Sequence, residues 1–143
     1  MITLATLVDS LTKKLQISQW QISDDGAYQL EIDGVIALTF FAAKQRVFII
    51  STFGQLSDNS IELPHQLVRI YQLALLRARD YQDALVTTDD KQMQLQRQLP
   101  LNGLTADQFE MAISSQLNYA DELLVVIQQT HPQKLINSNV WFP

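Results

Sequence analysis

The sequence contains no cysteine. A disulfide framework, a thiolate metal site and a cysteine nucleophile are therefore excluded. Its four glycines fall in neither the GxGxxG nor the GxxxxGK pattern, and there is no GxSxG nucleophile motif. The two histidines, His65 and His131, are not spaced as a metal-binding pair. Together these absences predict a protein that is not an enzyme and that uses neither a cofactor nor a metal.

Positive charge is also scarce, since ten Lys and Arg residues face fifteen Asp and Glu residues and give a net charge of −5. Nucleic-acid binding requires neutralisation of phosphates, so no nucleic-acid partner is expected. No apolar run approaches the roughly 20 residues of a membrane span. The first residues, MITLATLVDSLTKKL, lack the basic start of a signal peptide. We therefore expect a cytoplasmic protein without a membrane partner.

Two pairs of neighbouring carboxylates could suggest a catalytic or cation site. Asp24-Asp25 and Asp89-Asp90 both stand beside turn signals. Asp in such places usually bonds the local backbone, and neither segment has the alternating oxygen ligands of a calcium loop. The pairs are interpreted as turn residues.

Hydrophobic periodicity predicts the element order α-β-β-β-α-β-β-α, an α+β fold with a twisted antiparallel sheet covered by helices. Thr105 and Gln108 form a capping box at the start of the last helix. Residues 1–130 are expected to form one domain, followed by an irregular tail, residues 131–143. The predicted helices are residues 3–16, 64–80 and 105–128, and the predicted strands are residues 28–32, 35–41, 46–52, 84–88 and 92–99.

The second and third predicted strands are apolar on both faces, which requires cover on both faces. Asp33-Gly34 predicts a type I′ turn that pairs Ile32 with Val35. In that register the even-numbered side chains of the second strand share a face with Glu31, and this face is predicted to point outward and to bind an extended peptide. Permanent cover by the tail or by a partner subunit is the alternative. The residues of this predicted surface are Ile36, Leu38, Phe40 and Ile49.

The second helix has more apolar residues than one core contact requires. Val68, Leu75 and Leu76 lie away from the face that carries Ile70. A helix with two apolar faces can bury one in the subunit and the other against a second copy. These three residues are predicted to form a homodimer interface.

Three short segments in this order resemble the class I type III secretion chaperones of Gram-negative bacteria, the Tir-chaperone type. They are Ile32-Asp33-Gly34 in the first hairpin, Phe53-Gly54-Gln55-Leu56 before the second helix, and the Leu104, Thr105 and Phe109 pattern at the third helix. The resemblance extends over roughly residues 3–128.

The resemblance implies an obligate homodimer in the bacterial cytosol that binds the N-terminal region of a secreted effector without ATP. It also implies that the first helix and the sheet form the effector-binding pockets. The alternative is a regulatory or stabilising protein of the same fold that serves no secretion system. The first-helix residues implied in effector binding are Leu4, Leu7 and Leu11, beside the sheet residues Ile36, Leu38, Phe40 and Ile49.

Overall fold

The computed structural model describes residues 3–16 and 20–129. The α+β class and the predicted order of elements are confirmed, with one additional strand, β1, that is only two residues long and too short to show a period. The predicted tail, including Val140-Trp141-Phe142, lies outside the described residues. The elements are α1 Leu4–Leu15, β1 Gln21–Ile22, β2 Tyr28–Ile32, β3 Ile36–Ala43, β4 Arg46–Gln55, α2 Glu62–Leu76, β5 Ala84–Thr87, β6 Gln92–Pro100 and α3 Ala106–Gln129.

The six strands form one sheet in the order β1-β2-β3-β4-β6-β5, and every neighbouring pair is antiparallel. The chain leaves the sheet after β4, passes through α2, and returns at the edge with β5. Strand β6 then inserts between β4 and β5. The three-stranded meander β2-β3-β4 is as predicted.

Helix boundaries follow from capping groups. At α3 the capping box is confirmed, because Thr105 N donates to Gln108 Oε1 and Gln108 N donates to Thr105 Oγ1, both at 3.1 Å. Helix α2 begins two residues before the predicted start at residue 64, because Asn59 Oδ1 accepts from the backbone N–H groups of Ile61 and Glu62. It ends at Leu76, and the backbone of residues 77–80 forms turns instead of the predicted last helical turn.

The first hairpin has the predicted turn but a different register. Asp33 and Gly34 have positive φ angles of 54° and 68°, as a type I′ turn requires. The strand ladder, however, pairs Ile32 with Ile36 and not with Val35. Because side chains alternate between faces, this shift of one residue turns every predicted outward side chain inward.

The prediction that the even-numbered residues of β3 face outward is therefore wrong. They pair with the apolar residues of β2, Leu38 with Leu30 and Phe40 with Tyr28, and lie beneath the helices. In the core, Phe40 makes edge contacts with Trp20 and Phe109 at centroid distances of 5.1 and 5.4 Å. All four residues predicted to be exposed are buried in this core: Ile36, Leu38, Phe40 and Ile49.

The neighbouring phenylalanines Phe40 and Phe41 test this register directly. Phe40 is 0% exposed, so Phe40→Ala is expected to lower the free energy of unfolding by about 3–5 kcal/mol. Phe41 points to the opposite, partly exposed face, and Phe41→Ala is expected to cost only about 1 kcal/mol. Urea denaturation of both variants measures the difference; equal costs, or a larger cost at Phe41, would contradict the register.

Candidate functional site

The face of the sheet opposite the helical core carries an apolar patch. From Ile36 to Phe40 of β3 and along β4 from Val47 to Phe53, every second residue is buried, while the residues between are exposed or partly exposed. Phe41 and Phe48 pair across the two strands on this outer side and stack with a centroid distance of 5.0 Å and an interplanar angle of 11°. Ile50 lies on the same side of β4. We call Phe41, Phe48 and Ile50 the outer-face patch.

A row of glutamines borders the outer-face patch. Gln94, Gln96 and Gln98 follow one another on the outer side of β6 and lie opposite the outward residues of β4. Gln94 Nε2 donates to Thr52 Oγ1, and Gln96 Nε2 donates to Gln94 Oε1, both at 3.1 Å. Amide groups both donate and accept hydrogen bonds. An apolar centre with an amide border can therefore contact side chains and backbone of an extended polypeptide.

Helix α2 presents a second apolar surface. Its inner face buries Gln66 and Ile70, while Val68 is 55%, Leu75 79% and Leu76 70% exposed. Arg69 is the only charged residue among the exposed positions within Glu62–Leu76. Exposed apolar area with so little charge is typical of an interaction surface. We call Ile61, Val68, Tyr71, Leu75 and Leu76, all exposed, the α2 surface.

The structure treats the predicted dimer interface and the predicted effector-binding surface differently. The three residues predicted for the dimer interface are exposed and together, although their contact with a second copy stays a prediction. Six of the seven residues predicted for effector binding share one core cluster, Ile36 lies in a second cluster, and none offers a surface in this subunit. Their assignment to effector binding stays a prediction that requires the core to open. Those residues are Leu4, Leu7, Leu11, Ile36, Leu38, Phe40 and Ile49, all buried.

The partly exposed apolar residues that periodicity missed are those of the outer-face patch. Phe41 and Phe48 are visible in the sequence as the extra apolar residues of two-faced strands. Only the hairpin register decides which of the two apolar sets points outward. Tyr71, next to Ile70 in the sequence, is 47% exposed because the helix turns Ile70 and not Tyr71 toward the sheet.

A buried polar network crosses the core beside the sheet edge. Gln116 of α3 is fully buried; its Nε2 donates to Ile49 O at 3.0 Å and to Asp83 Oδ2 at 3.1 Å, and its Oε1 accepts from the Ser51 hydroxyl. Burial raises the pKa of Asp83, and the bond from Gln116 and the nearby charge of Arg97 oppose that shift. The network fixes the chain just before β5 to the middle of β4 and α3.

The carboxylate pairs are turn residues, as predicted. Asp25 accepts from the Ser23 hydroxyl and Asp90 accepts from the Thr88 hydroxyl. The bond from Ser23 lowers the pKa of Asp25. In residues 3–16 and 20–129, no group of three or more His, Cys, Asp or Glu side chains could hold a metal ion. No helix in the same ranges is long and apolar enough to cross a membrane.

A sheet covered by helices on one side, with two uncovered apolar surfaces, is typical of a protein that binds other polypeptides. Residues 6–124 match the Tir chaperone protein (CesT) family. Since the match covers most of the chain, the protein belongs to this family. None of the curated protein sequences matches the chain.

Solved structures share the fold. A chain of the ExsC–ExsE complex superposes with a TM-score of 0.66 at 14% identity, covering 85% of this chain and 90% of that chain. The Yersinia pestis type III secretion chaperone SycH, solved with a fragment of YscM2, gives 0.61 at 18% identity, with 85% and 99% covered. YbjN from E. coli, a putative transcription regulator, gives 0.57 at 17% identity, with 93% and 94% covered.

The raised pKa of Asp83 makes stability depend on pH. A carboxyl whose pKa is higher in the folded than in the unfolded chain stabilises the fold when protonated, and this contribution is lost as pH rises through its folded pKa. Asp83→Asn cannot ionise and keeps an oxygen for the Gln116 bond. We therefore expect the variant to gain stability relative to wild type as pH rises: the difference in free energy of unfolding, variant minus wild type, is larger at pH 7 than at pH 3.

Urea denaturation of wild type and Asp83→Asn at both pH values measures this difference. Circular dichroism of the two proteins controls for an altered fold. If the stability of the variant relative to wild type decreases as pH rises from 3 to 7, the folded environment favours the charged carboxylate, contrary to the burial seen here.

Proposed function

We propose that this protein is an ATP-independent chaperone of the bacterial cytoplasm, without catalytic activity of its own. Its client is the N-terminal region of a type III secretion effector, which it keeps soluble and competent for secretion. The observation that carries the proposal is the uncovered outer-face patch on a chain of the Tir chaperone family. SycH, a type III secretion chaperone solved with a fragment of YscM2, has the same fold and supports it.

The outer-face patch suits an extended client better than a folded one. Phe48 and Ile50 are separated by one residue on one strand, so their spacing of about 6.8 Å repeats that of alternate side chains in an extended peptide. The glutamine row beside them offers donors and acceptors to a peptide backbone. Ordering a disordered client costs free energy, so the contact must extend beyond this patch to give useful affinity.

The α2 surface is proposed to contact a second copy of the chain. A two-fold axis would place the same residues of two copies against each other, which apolar side chains allow and a row of like charges would not. Because α2 packs its opposite face on β6 and α3, dimerisation would leave the outer-face patch of each subunit free. Two copies would then offer one client two separated patches.

Size-exclusion chromatography with light scattering tests the dimer. Leu75→Glu places a charge in the proposed interface, and we expect it to convert a dimer to a folded monomer at micromolar concentration. Met111→Glu is the matched control, because Met111 is a similarly exposed apolar residue, 70% against 79%, on α3. A monomeric wild type, or a dimer unaffected by Leu75→Glu, would contradict the proposed interface.

Client binding is tested by capture from the native host. Phe48→Asp introduces a charge into the outer-face patch but leaves the buried core intact, so we expect a folded dimer that loses a secreted effector retained by wild type. Mass spectrometry identifies the captured polypeptide, and Met111→Asp serves as the control. Retention of the effector by Phe48→Asp would exclude this patch as the client site.

A regulatory or stabilising protein of the same fold is the second candidate. Its support is YbjN, whose likeness extends over 93% of this chain, a larger share than SycH covers. The two candidates differ in the captured partner. A secreted effector supports the chaperone, and a partner with no part in secretion supports the regulator.

A further inference from the structure

The outer-face patch is an apolar surface that is partly exposed in the subunit without a client. Phe41 and Phe48 stack there, and Ile50 lies beside them. Contiguous apolar surface of this kind favours association with other chains. A protein that holds a client only part of the time therefore gains solubility from a cover that the client can displace.

The chain itself contains a segment with the chemistry of such a cover. The tail, residues 131–143, lies outside the described part of the chain, but its sequence includes Val140-Trp141-Phe142, and residues 135–143 carry no charged side chain. Among the outward residues of β3, β4 and β6, only Arg46 is charged. An uncharged segment on a nearly uncharged surface leaves almost no charge desolvated without a partner.

Helix α3 directs the tail to one end of the sheet. Gln116 of α3 bonds to Ile49 of β4, and further along Ile127 lies so close to Gly54 that a Cβ at Gly54 would be 2.7 Å from Ile127 Cδ1. Helix α3 and β4 therefore run in the same direction. Gln129, the last residue of α3, lies beside the end of β4.

The tail is long enough to reach the patch from there. Eleven peptide units separate Gln129 from Val140, and they span up to about 36 Å when extended. Phe48 precedes Gly54 by six residues on β4, which is about 20 Å along a strand. Passing around the helix layer adds about 10 Å. Val140 can therefore reach Phe48 of its own subunit.

The order of residues along the tail matches the order of groups on the sheet. From the end of β4, the outer face first presents Thr52 and Gln94, which bond to each other, and then the aromatic and aliphatic residues of the patch. The tail in the same direction presents Asn137-Ser138-Asn139 and then Val140-Trp141-Phe142. Amides can bond to Thr52 and Gln94, and aromatic rings pack well on the Phe41–Phe48 stack.

We propose that Val140-Trp141-Phe142 covers the outer-face patch of its own subunit when no client is bound, and that a client displaces it. A segment on a short linker has an effective concentration on the order of millimolar, so an intrinsic Kd of about 0.1 mM covers the patch about nine-tenths of the time. The client then binds about tenfold more weakly than to an open patch. This inference rests on the proposed function and gives its client site a regulator within the same chain.

Engineered disulfides test the position of the tail. The chain has no cysteine, so a pair of introduced cysteines can form only one intramolecular disulfide. Ala37 lies opposite Thr52 on the outer side of β3, and Ala37→Cys is combined with Ser138→Cys in the full chain. The control pair is Ser114→Cys with Ser138→Cys, because Ser114 is exposed on α3 and about 22 Å from Gln129, no farther than the patch.

We expect the Ala37–Ser138 pair to form an intramolecular disulfide at least tenfold faster than the control pair under mild oxidation. Peptide mapping and non-reducing electrophoresis identify the product. Equal rates, or a faster reaction of the control pair, would mean that the tail has no preference for the outer face. A disulfide that joins two subunits would mean that the patch is covered by the tail of a second copy. Each of these results would overturn the proposal.

Tryptophan fluorescence provides an arm without cysteines. Trp141 is one of two tryptophans, and its emission is obtained by subtracting the spectrum of Trp141→Phe from that of wild type. We expect emission typical of a packed indole, which moves to longer wavelength in Phe48→Asp and stays unchanged in Met111→Asp. Emission of a hydrated indole in wild type, or no shift in Phe48→Asp, would contradict the proposed cover.

Displacement is tested with the effector that wild type captures. Trp141→Ser is expected to bind it about tenfold more tightly than wild type, and unchanged affinity would show that tail and client do not compete. The cysteine and fluorescence arms need no client, so the two proposals can fail separately. If the tail covers the patch but no effector is captured, the secretion function is wrong. If an effector is captured and lost in Phe48→Asp while the Ala37–Ser138 pair reacts no faster than its control, the tail assignment is wrong.

Discussion

The pairing of Ile32 with Ile36 in the first hairpin determines which side of the sheet becomes core. In this register the apolar residues of β2 and the even-numbered residues of β3 share one face, and the three helices pack on that face. The strand pleat then forces Phe41 to the other side. Since β4 pairs with β3 in register, Phe48 follows it. One backbone pairing thus produces both the core and the outer-face patch.

The helices leave one further surface open, and it results from what they bury. Helix α2 directs Ile70 into the sheet, so its apolar residues half a turn away have no contact within the subunit. Helix α3 anchors the chain before β5 through the Gln116–Asp83 bond. The α2 surface and the outer-face patch are therefore two consequences of one layer of helices on one sheet.

Local signals in the sequence identified most elements but not their faces. Thr105 and Gln108 fixed the start of α3 because their side chains bond each other's backbone over three residues, which needs no tertiary information. The turn at Asp33-Gly34 was equally local. The register was not, because the pairing of Ile32 with Ile36 depends on burying the apolar side of β2 under helices that are distant in sequence. The Gln116 network was also hidden, since its partners lie more than thirty residues away.

If the outer-face patch holds another polypeptide, benzoylphenylalanine in place of Phe48 should cross-link to that polypeptide on irradiation in the native host. We expect an adduct between this chain and the N-terminal region of a secreted protein. An adduct only with a second copy of this chain, or none at all, would contradict it.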